Sequence, residues 1–208
     1  MQPHSFICGQ ESGYSDVAST GDIEMIVAVF QPHAAKIFFC IPVTLLRDRN
    51  MAVADIENPA LRDLAHRVED SENHDICIEL IENYFYECLM YGTPYHLPRL
   101  ADVIRHINNS TQTNIRALSN IACLSEKQFS RIFSENIGTA PKDFMRIVRL
   151  QRTLSIMQHN QGIGFAQLSY ECGYTDQSHM IKEFKLFSGY TPKEYIARYS
   201  PVSDYFTF

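Results

Sequence analysis

The chain is poor in several things that would assign it elsewhere. No apolar run approaches the ~20 residues needed to span a bilayer, so no membrane partner is expected. The opening Met1-Gln2-Pro3-His4 has no basic stretch and no long apolar core behind it. It does not read as a signal peptide, and a cytoplasmic location is expected. Six cysteines (Cys8, Cys40, Cys77, Cys88, Cys123, Cys172) are scattered without a C-x-x-C pair. They read as reduced thiols, with one disulfide pair left open by the spacing. The eight histidines show no metal-ligand spacing, so no metal and no cofactor are expected. No G-x-S-x-G, phosphate-binding loop or paired-carboxylate motif occurs, so the chain does not read as an enzyme. Basic residues are scarce in the first half: residues 1–96 hold 5 Lys+Arg against 15 Asp+Glu.

What is present is ordinary in bulk and uneven in arrangement. The 208 residues are 45 % apolar and 20 % charged, with a net charge of −6. Residues 97–208 hold 13 Lys+Arg and 9 Asp+Glu. An acidic module joined to a mildly basic, nucleic-acid-binding one would carry that asymmetry. A partial α+β region is expected over 1–90, with strands at Phe6–Gln10 and Ile23–Phe30 followed by helices. The second strand, I-E-M-I-V-A-V-F, is apolar and β-branched. Helices are expected at His33–Ile41, Ala60–Glu69 and Ile76–Met90. The last bears a stripe that includes Tyr84, Phe85 and Leu89 and reads as core or a helix–helix seam. Residues 91–98 contain two prolines and a glycine and read as a linker. From Arg99 the pattern is helical: 99–108, 115–122, 126–136, 142–158, 165–172, 177–187 and 192–199, with a tail over 200–208. The fold class is mainly α, a seven-helix C-terminal domain (99–199) behind a small α+β region.

The densest stretch is Ser169–Tyr195. A short helix ends at Cys172-Gly173, where glycine suits a left-handed turn. Thr175 and Asp176 can cap the next helix. Met180, Phe184 and Phe187 give that helix one apolar face, while Gln177, Ser178, Ile181, Lys182 and Lys185 lie opposite. This is the plan of a helix-turn-helix whose second helix enters a major groove. The plan occurs twice. At a separation of 51, Phe129 pairs with Met180, Phe133 with Phe184, Gly138 with Gly189, Pro141 with Pro192, Lys142 with Lys193 and Phe144 with Tyr195. Leu118 and Ser119 pair with Leu168 and Ser169 at 50. The units are 115–136 and 165–187, joined by the helix 142–158. Both outer faces carry groove-reading side chains, Lys127, Ser130 and Arg131 in the first copy and Gln177, Ser178 and Lys182 in the second.

On these residues, 97–199 resembles the C-terminal DNA-binding domain of AraC/XylS-type bacterial transcription regulators. E-C-G-Y-T-D-Q-S-H-M-I-K-E-F-K-L-F-S-G-Y-T-P-K-E-Y (Glu171–Tyr195) is close to that family's signature. The resemblance implies two helix-turn-helix units on a rigid linker helix, inserting recognition helices into successive major grooves. Carried over by position, Lys127, Ser130 and Arg131 would face bases in the first unit, with Gln128 beside them. Gln177, Ser178, Ile181 and Lys182 would do so in the second. Two positions depart: Cys123 stands where the first turn usually has glycine, and Glu126 opens the first recognition helix. G-x-I-x-x-x-x-x-V-F-x-P (Gly21–Pro32), the short helix and Pro42 are similar to the end of a cupin-like sensor barrel whose earlier strands are missing.

Three function classes follow. A sequence-specific DNA-binding transcription regulator accounts for both outer faces. A protein-interaction module reusing the hairpin would want acidic or apolar outer faces, which Lys127, Arg131, Lys182 and Lys185 oppose. A DNA-repair methyl-acceptor enzyme needs a zinc-binding cysteine cluster, and Cys8 and Cys40 stand alone. Double-stranded DNA is the expected partner. RNA polymerase is a further partner under the first class, and the Ile76–Met90 stripe points to a homodimer. The sequence names no effector.

Overall fold

The computed structural model describes residues 3–14, 21–22, 24–90, 95–160 and 162–198. The N-terminal sheet has two short strands, β1 (Phe6–Cys8) and β2 (Asn50–Ala52). They pair antiparallel in the register Phe6↔Ala52, Ile7↔Met51 and Cys8↔Asn50. The second strand expected from sequence is therefore misplaced. Residues 24–30 form no strand, and Met25, Ile26, Val27 and Val29 are exposed. β-Propensity expresses itself only where a neighbouring strand takes up the backbone N–H and C=O groups. No such neighbour lies beside this run among the described residues. Phe30 alone turns inward, its ring 4.9 Å from Phe38 and 4.8 Å from Phe85.

A first core forms where α1 (Ala35–Phe39), α2 (Pro59–Glu69) and α3 (His74–Met90) meet. Pro59 opens α2 at a position where its missing N–H costs nothing, and Asn58 Oδ1 accepts from Leu61 N at 3.1 Å. The Tyr84 hydroxyl donates to Phe38 O at 3.0 Å and accepts from Asn58 Nδ2 at 3.1 Å. Tyr84 and Phe85 of the expected stripe therefore serve this core. Leu89 stays exposed, as do Ile78, Tyr86 and Met90.

From Leu97 the chain is helical: α4 (Leu97–Asn109), α5 (Ile115–Ile121), α6 (Glu126–Ile137), α7 (Pro141–His159), α8 (Phe165–Glu171), α9 (Gln177–Ser188) and α10 (Pro192–Arg198). Of the expected linker, 91–94 lies outside the described residues, and Leu97 and Pro98 already belong to α4. Proline in a first helical turn forfeits no intrahelical bond. The expected tail and Tyr199 also lie outside the described residues.

The seven helices bury two further cores. One gathers Leu100, Val103 and Ile107 of α4, Leu118 of α5, Phe129 and Phe133 of α6, and Phe144 and Val148 of α7. The other gathers Leu168 of α8, Met180 and Phe184 of α9, and Met157 of α7. One end of α7 thus enters each core, which makes the helix a shared beam rather than a spacer. Arg152 stiffens it further. Its Nη2 donates to the carbonyls of Ile107, Asn108 and Ser110 at 3.2, 2.8 and 3.2 Å, satisfying the open end of α4.

The N-terminal region rests on this frame. A 3-10 turn at Val43–Leu46 packs against α6. Arg47 pairs with Asp143 at 3.2 Å, and Lys36 Nζ donates to Asn136 Oδ1 at 3.4 Å. Gly138 ends α6 at φ +86°, and a Cβ there would sit 2.8 Å from Val43 O. Glycine at this position both terminates the helix and admits the neighbouring backbone.

Candidate nucleic-acid interface

The two helix-turn-helix units close by the same hydrogen bonds. In the first, Cys123 N donates to Asn120 O and Leu124 N to Ser119 O, both at 3.0 Å. In the second, Gly173 N donates to Tyr170 O at 3.0 Å and Tyr174 N to Ser169 O at 2.9 Å. The repeated serines are buried in the angle of each unit. Ser119 Oγ donates to Arg116 O at 3.0 Å and Ser169 Oγ to Ala166 O at 2.8 Å. A small side chain that satisfies its own hydroxyl lets the next helix approach closely.

The recognition helices begin with different caps. Ser125 and Gln128 form a reciprocal capping box at α6: Gln128 N donates to Ser125 Oγ at 3.4 Å, and Ser125 N to Gln128 Oε1 at 3.4 Å. Asp176 Oδ1 accepts from His179 N at 2.8 Å at the start of α9. His179, half-buried, accepts at Nδ1 from Thr175 N at 3.4 Å, and its ring meets Tyr174 edge-on. It also lines the cleft between the two units.

The residues expected to meet DNA divide by environment. Lys127, Arg131, Gln177, Ser178 and Lys182 are exposed on the outer faces of α6 and α9. Ser130 is half-buried. Gln128 is exposed, with its amide oxygen engaged in the cap. Ile181 is partly buried and packs on the second unit's core. Arg131 pairs with Glu135 one turn on, at 3.3 Å, both side chains more than half exposed. Such exposed pairs are worth about 0.3–0.5 kcal/mol and yield readily to a phosphate or a base edge.

One contact locks the second recognition helix to the beam. Arg146 of α7 grips Glu183 of α9 with a fork, Nε to Oε2 at 2.7 Å and Nη2 to Oε1 at 2.9 Å. The guanidinium also lies 5.1 Å from the Phe187 ring and 3.4 Å from Asp143. Hydrogen bonding to Glu183 raises the Arg146 pKa further above its ordinary value. Next to this pair, Tyr174 is buried and its hydroxyl pKa is pushed up to about 12, so it stays neutral. Its partner is Thr153, whose Oγ1 lies 3.3 Å away. The fork was not anticipated from sequence, because a pair 37 residues apart has no local pattern. No group of three or more potential metal ligands occurs among the described residues, and no described helix is long and apolar enough to cross a membrane.

Parts of the sequence match known proteins. Residues 118–198 match the family model described as a helix-turn-helix domain. They form a helix-turn-helix domain. Residues 1–52 match a second model, described as a domain of unknown function, which spans β1, α1 and β2. An uncharacterized HTH-type transcriptional regulator of Haemophilus influenzae is 33 % identical over 82 residues, 39 % of this chain and 27 % of that protein. The HTH-type transcriptional regulator ArgR of Pseudomonas aeruginosa is 30 % identical over 73 residues, 35 % of this chain and 22 % of that protein. The chain thus spans about a quarter of the length of the curated relatives it matches. A crystal structure of a transcriptional regulator from Chromobacterium violaceum, its title naming AraC-type DNA-binding domain-containing proteins, aligns with 51 % of this chain and 94 % of that one. Its identity is 20 % and its TM-score 0.46, a likeness too distant to decide anything. The domain here has both turns and both capped recognition helices, and it carries Cys123 at the first turn in the left-handed conformation, φ +54°.

Proposed function

We propose that this chain is a sequence-specific DNA-binding transcription regulator. Its helices α6 and α9 enter successive major-groove segments of one duplex, about one helical turn apart. The observation that carries the reading is the doubled unit on a shared beam. Two capped helices, 51 residues apart in sequence, turn cationic and amide side chains outward while their aromatic faces are buried in separate cores. Lys127, Ser130 and Arg131 contact bases or backbone from α6, with Gln128 holding the cap. Gln177, Ser178 and Lys182 do so from α9, with Ile181 at the edge. No observation favours the protein-interaction alternative.

Selection from a pool of random duplexes tests the reading. The expected outcome is enrichment of a defined sequence, retained in a salt-sensitive way. A pool that returns no sequence preference would overturn it. Homodimer formation through the exposed Ile78, Tyr86, Leu89 and Met90 of α3 is a separate proposal. Asp75, Glu79 and Glu82 accompany these residues on the same helix. Their mutual repulsion predicts a dimer that tightens with added salt, which light scattering can read.

A further inference from the structure

The space between the two units is open. A cleft of about 630 Å³ lies there, walled by the starts of α5, α6 and α9 and the first half of α7. Arg116, Lys142, Arg146 and Arg149 line it against two carboxylates, Glu126 and Glu183. Arg146 and Glu183 neutralise each other through their fork. That leaves three cations facing Glu126 alone. Arg116 and Lys142 have no ion-pair partner among the described residues. Arg149 is held by the Tyr174 ring, 5.1 Å from its centroid, and not by an acid. Thr113 on the same wall carries a buried hydroxyl that lacks a hydrogen-bond partner. Like charges gathered in one concavity repel each other and concentrate a positive potential there.

We infer that this cleft seats the sugar-phosphate strand that separates the two major-groove segments, with Arg116, Lys142 and Arg149 neutralising its phosphates. The inference rests on the reading of α6 and α9 as the groove-entering helices. If both enter one face of a duplex, the backbone between their segments must cross the surface between them, and the cleft is that surface. Duplex DNA carries one negative charge per ~1.7 Å of axis, so the crossing strand brings several phosphates to the three cations. Lys142 and Arg149 stand seven residues apart on α7, two turns along one side of the beam, and Arg116 faces the same space from α5. These contacts carry no base information. They set register and orientation, while the outer faces of α6 and α9 do the reading. The Arg146–Glu183 fork has a second consequence here, because it masks a carboxylate that would otherwise repel the strand.

The test measures binding of the full chain to a random-sequence duplex and to a selected duplex across a salt series. Arg116→Ala and Lys142→Ala alter exposed side chains with no ion-pair partner, so the fold is retained, as a thermal melt would verify. Arg62→Ala, an exposed cation on α2, controls for net charge. Each cleft variant should lower the steepness of log K against log salt by about 0.9. At 0.1 M salt that slope corresponds to roughly eightfold weaker binding, equal for both duplexes. Arg62→Ala should change neither. Wild-type slopes in both cleft variants on random duplex would overturn the inference. A loss confined to the selected duplex would overturn it too, since the side chains would then be reading bases. A wild-type chain with no sequence preference would instead sink the regulator reading, while the random-duplex measurements still decide the cleft.

Discussion

The two helix-turn-helix units reach one backbone geometry from different residues. The second has Gly173 at the left-handed turn position, φ +74°, and the first has Cys123 at φ +54°. Glycine takes that conformation without cost, whereas a residue with a Cβ gives up roughly 1–2 kcal/mol. Space differs as well. A Cβ on Gly173 would lie 2.3 Å from Thr111 O, while the Cys123 side chain points to solvent. The first turn is thus mildly strained and open, the second relaxed and closed over. The outer faces differ in the same sense. Arg131 is tied to Glu135 along its own helix, whereas Glu183 of α9 is tied across to α7. The ion pair of one recognition helix runs along the helix itself, and that of the other crosses to the frame.

Breaking the second turn should have the largest effect. Gly173→Ala adds a left-handed penalty to a backbone clash and should cost on the order of 3 kcal/mol in urea unfolding. A change under about 1 kcal/mol would show that the turn can relax. Arg146→Ala comes next. It leaves Glu183, whose side chain is 16 % exposed, without its fork, and about 2 kcal/mol of stability should go. DNA affinity should fall with it, because α9 loses its tether. If stability drops while affinity for a selected duplex stays level, the tether does not position the helix.

Replacing Arg131 or Lys182 by Ala should weaken binding by about 1–3 kcal/mol if each reads a base. Glu135→Ala should strengthen binding slightly, since it frees Arg131. The outcome that breaks the comparison is an unchanged or weaker affinity in Glu135→Ala, measured by anisotropy at fixed salt. Cys123→Gly is the smallest. Relief of the left-handed strain is partly offset by the entropy glycine adds to the unfolded chain, so a gain of at most about 1 kcal/mol is expected. A loss in thermal unfolding would mean that the Cys123 side chain makes a stabilising contact.

The helices and their inward faces were legible because their information is local. Phe129, Phe133, Met180 and Phe184 recur at helical spacing, and all four are fully buried. The caps at Asn58, Ser125 and Asp176 stand where oxygen-bearing side chains precede apolar runs. The sheet was legible only in part. Ile23–Phe30 has the composition of a strand and no partner, while Asn50–Ala52 has little strand character and pairs because β1 lies beside it. Strand formation depends on a neighbour that composition does not record. In the interface, the exposed side of α6 and α9 followed from periodicity, but the engagement of Gln128 in a capping box and the burial of Ile181 did not.

The sequence by itself determined a doubled unit: two capped helices, two turn positions, a 51-residue offset and a basic second half behind an acidic first. Periodicity and capping act over a few residues, so they survive without the fold. Only the tertiary structure decided that Arg146 holds Glu183, that Arg47 reaches Asp143 across 96 residues, and that Arg116, Lys142 and Arg149 share one cleft. Those meetings join side chains far apart in the chain. They exist because the shared helix α7 sets one end in each core and brings the two units to face a common space.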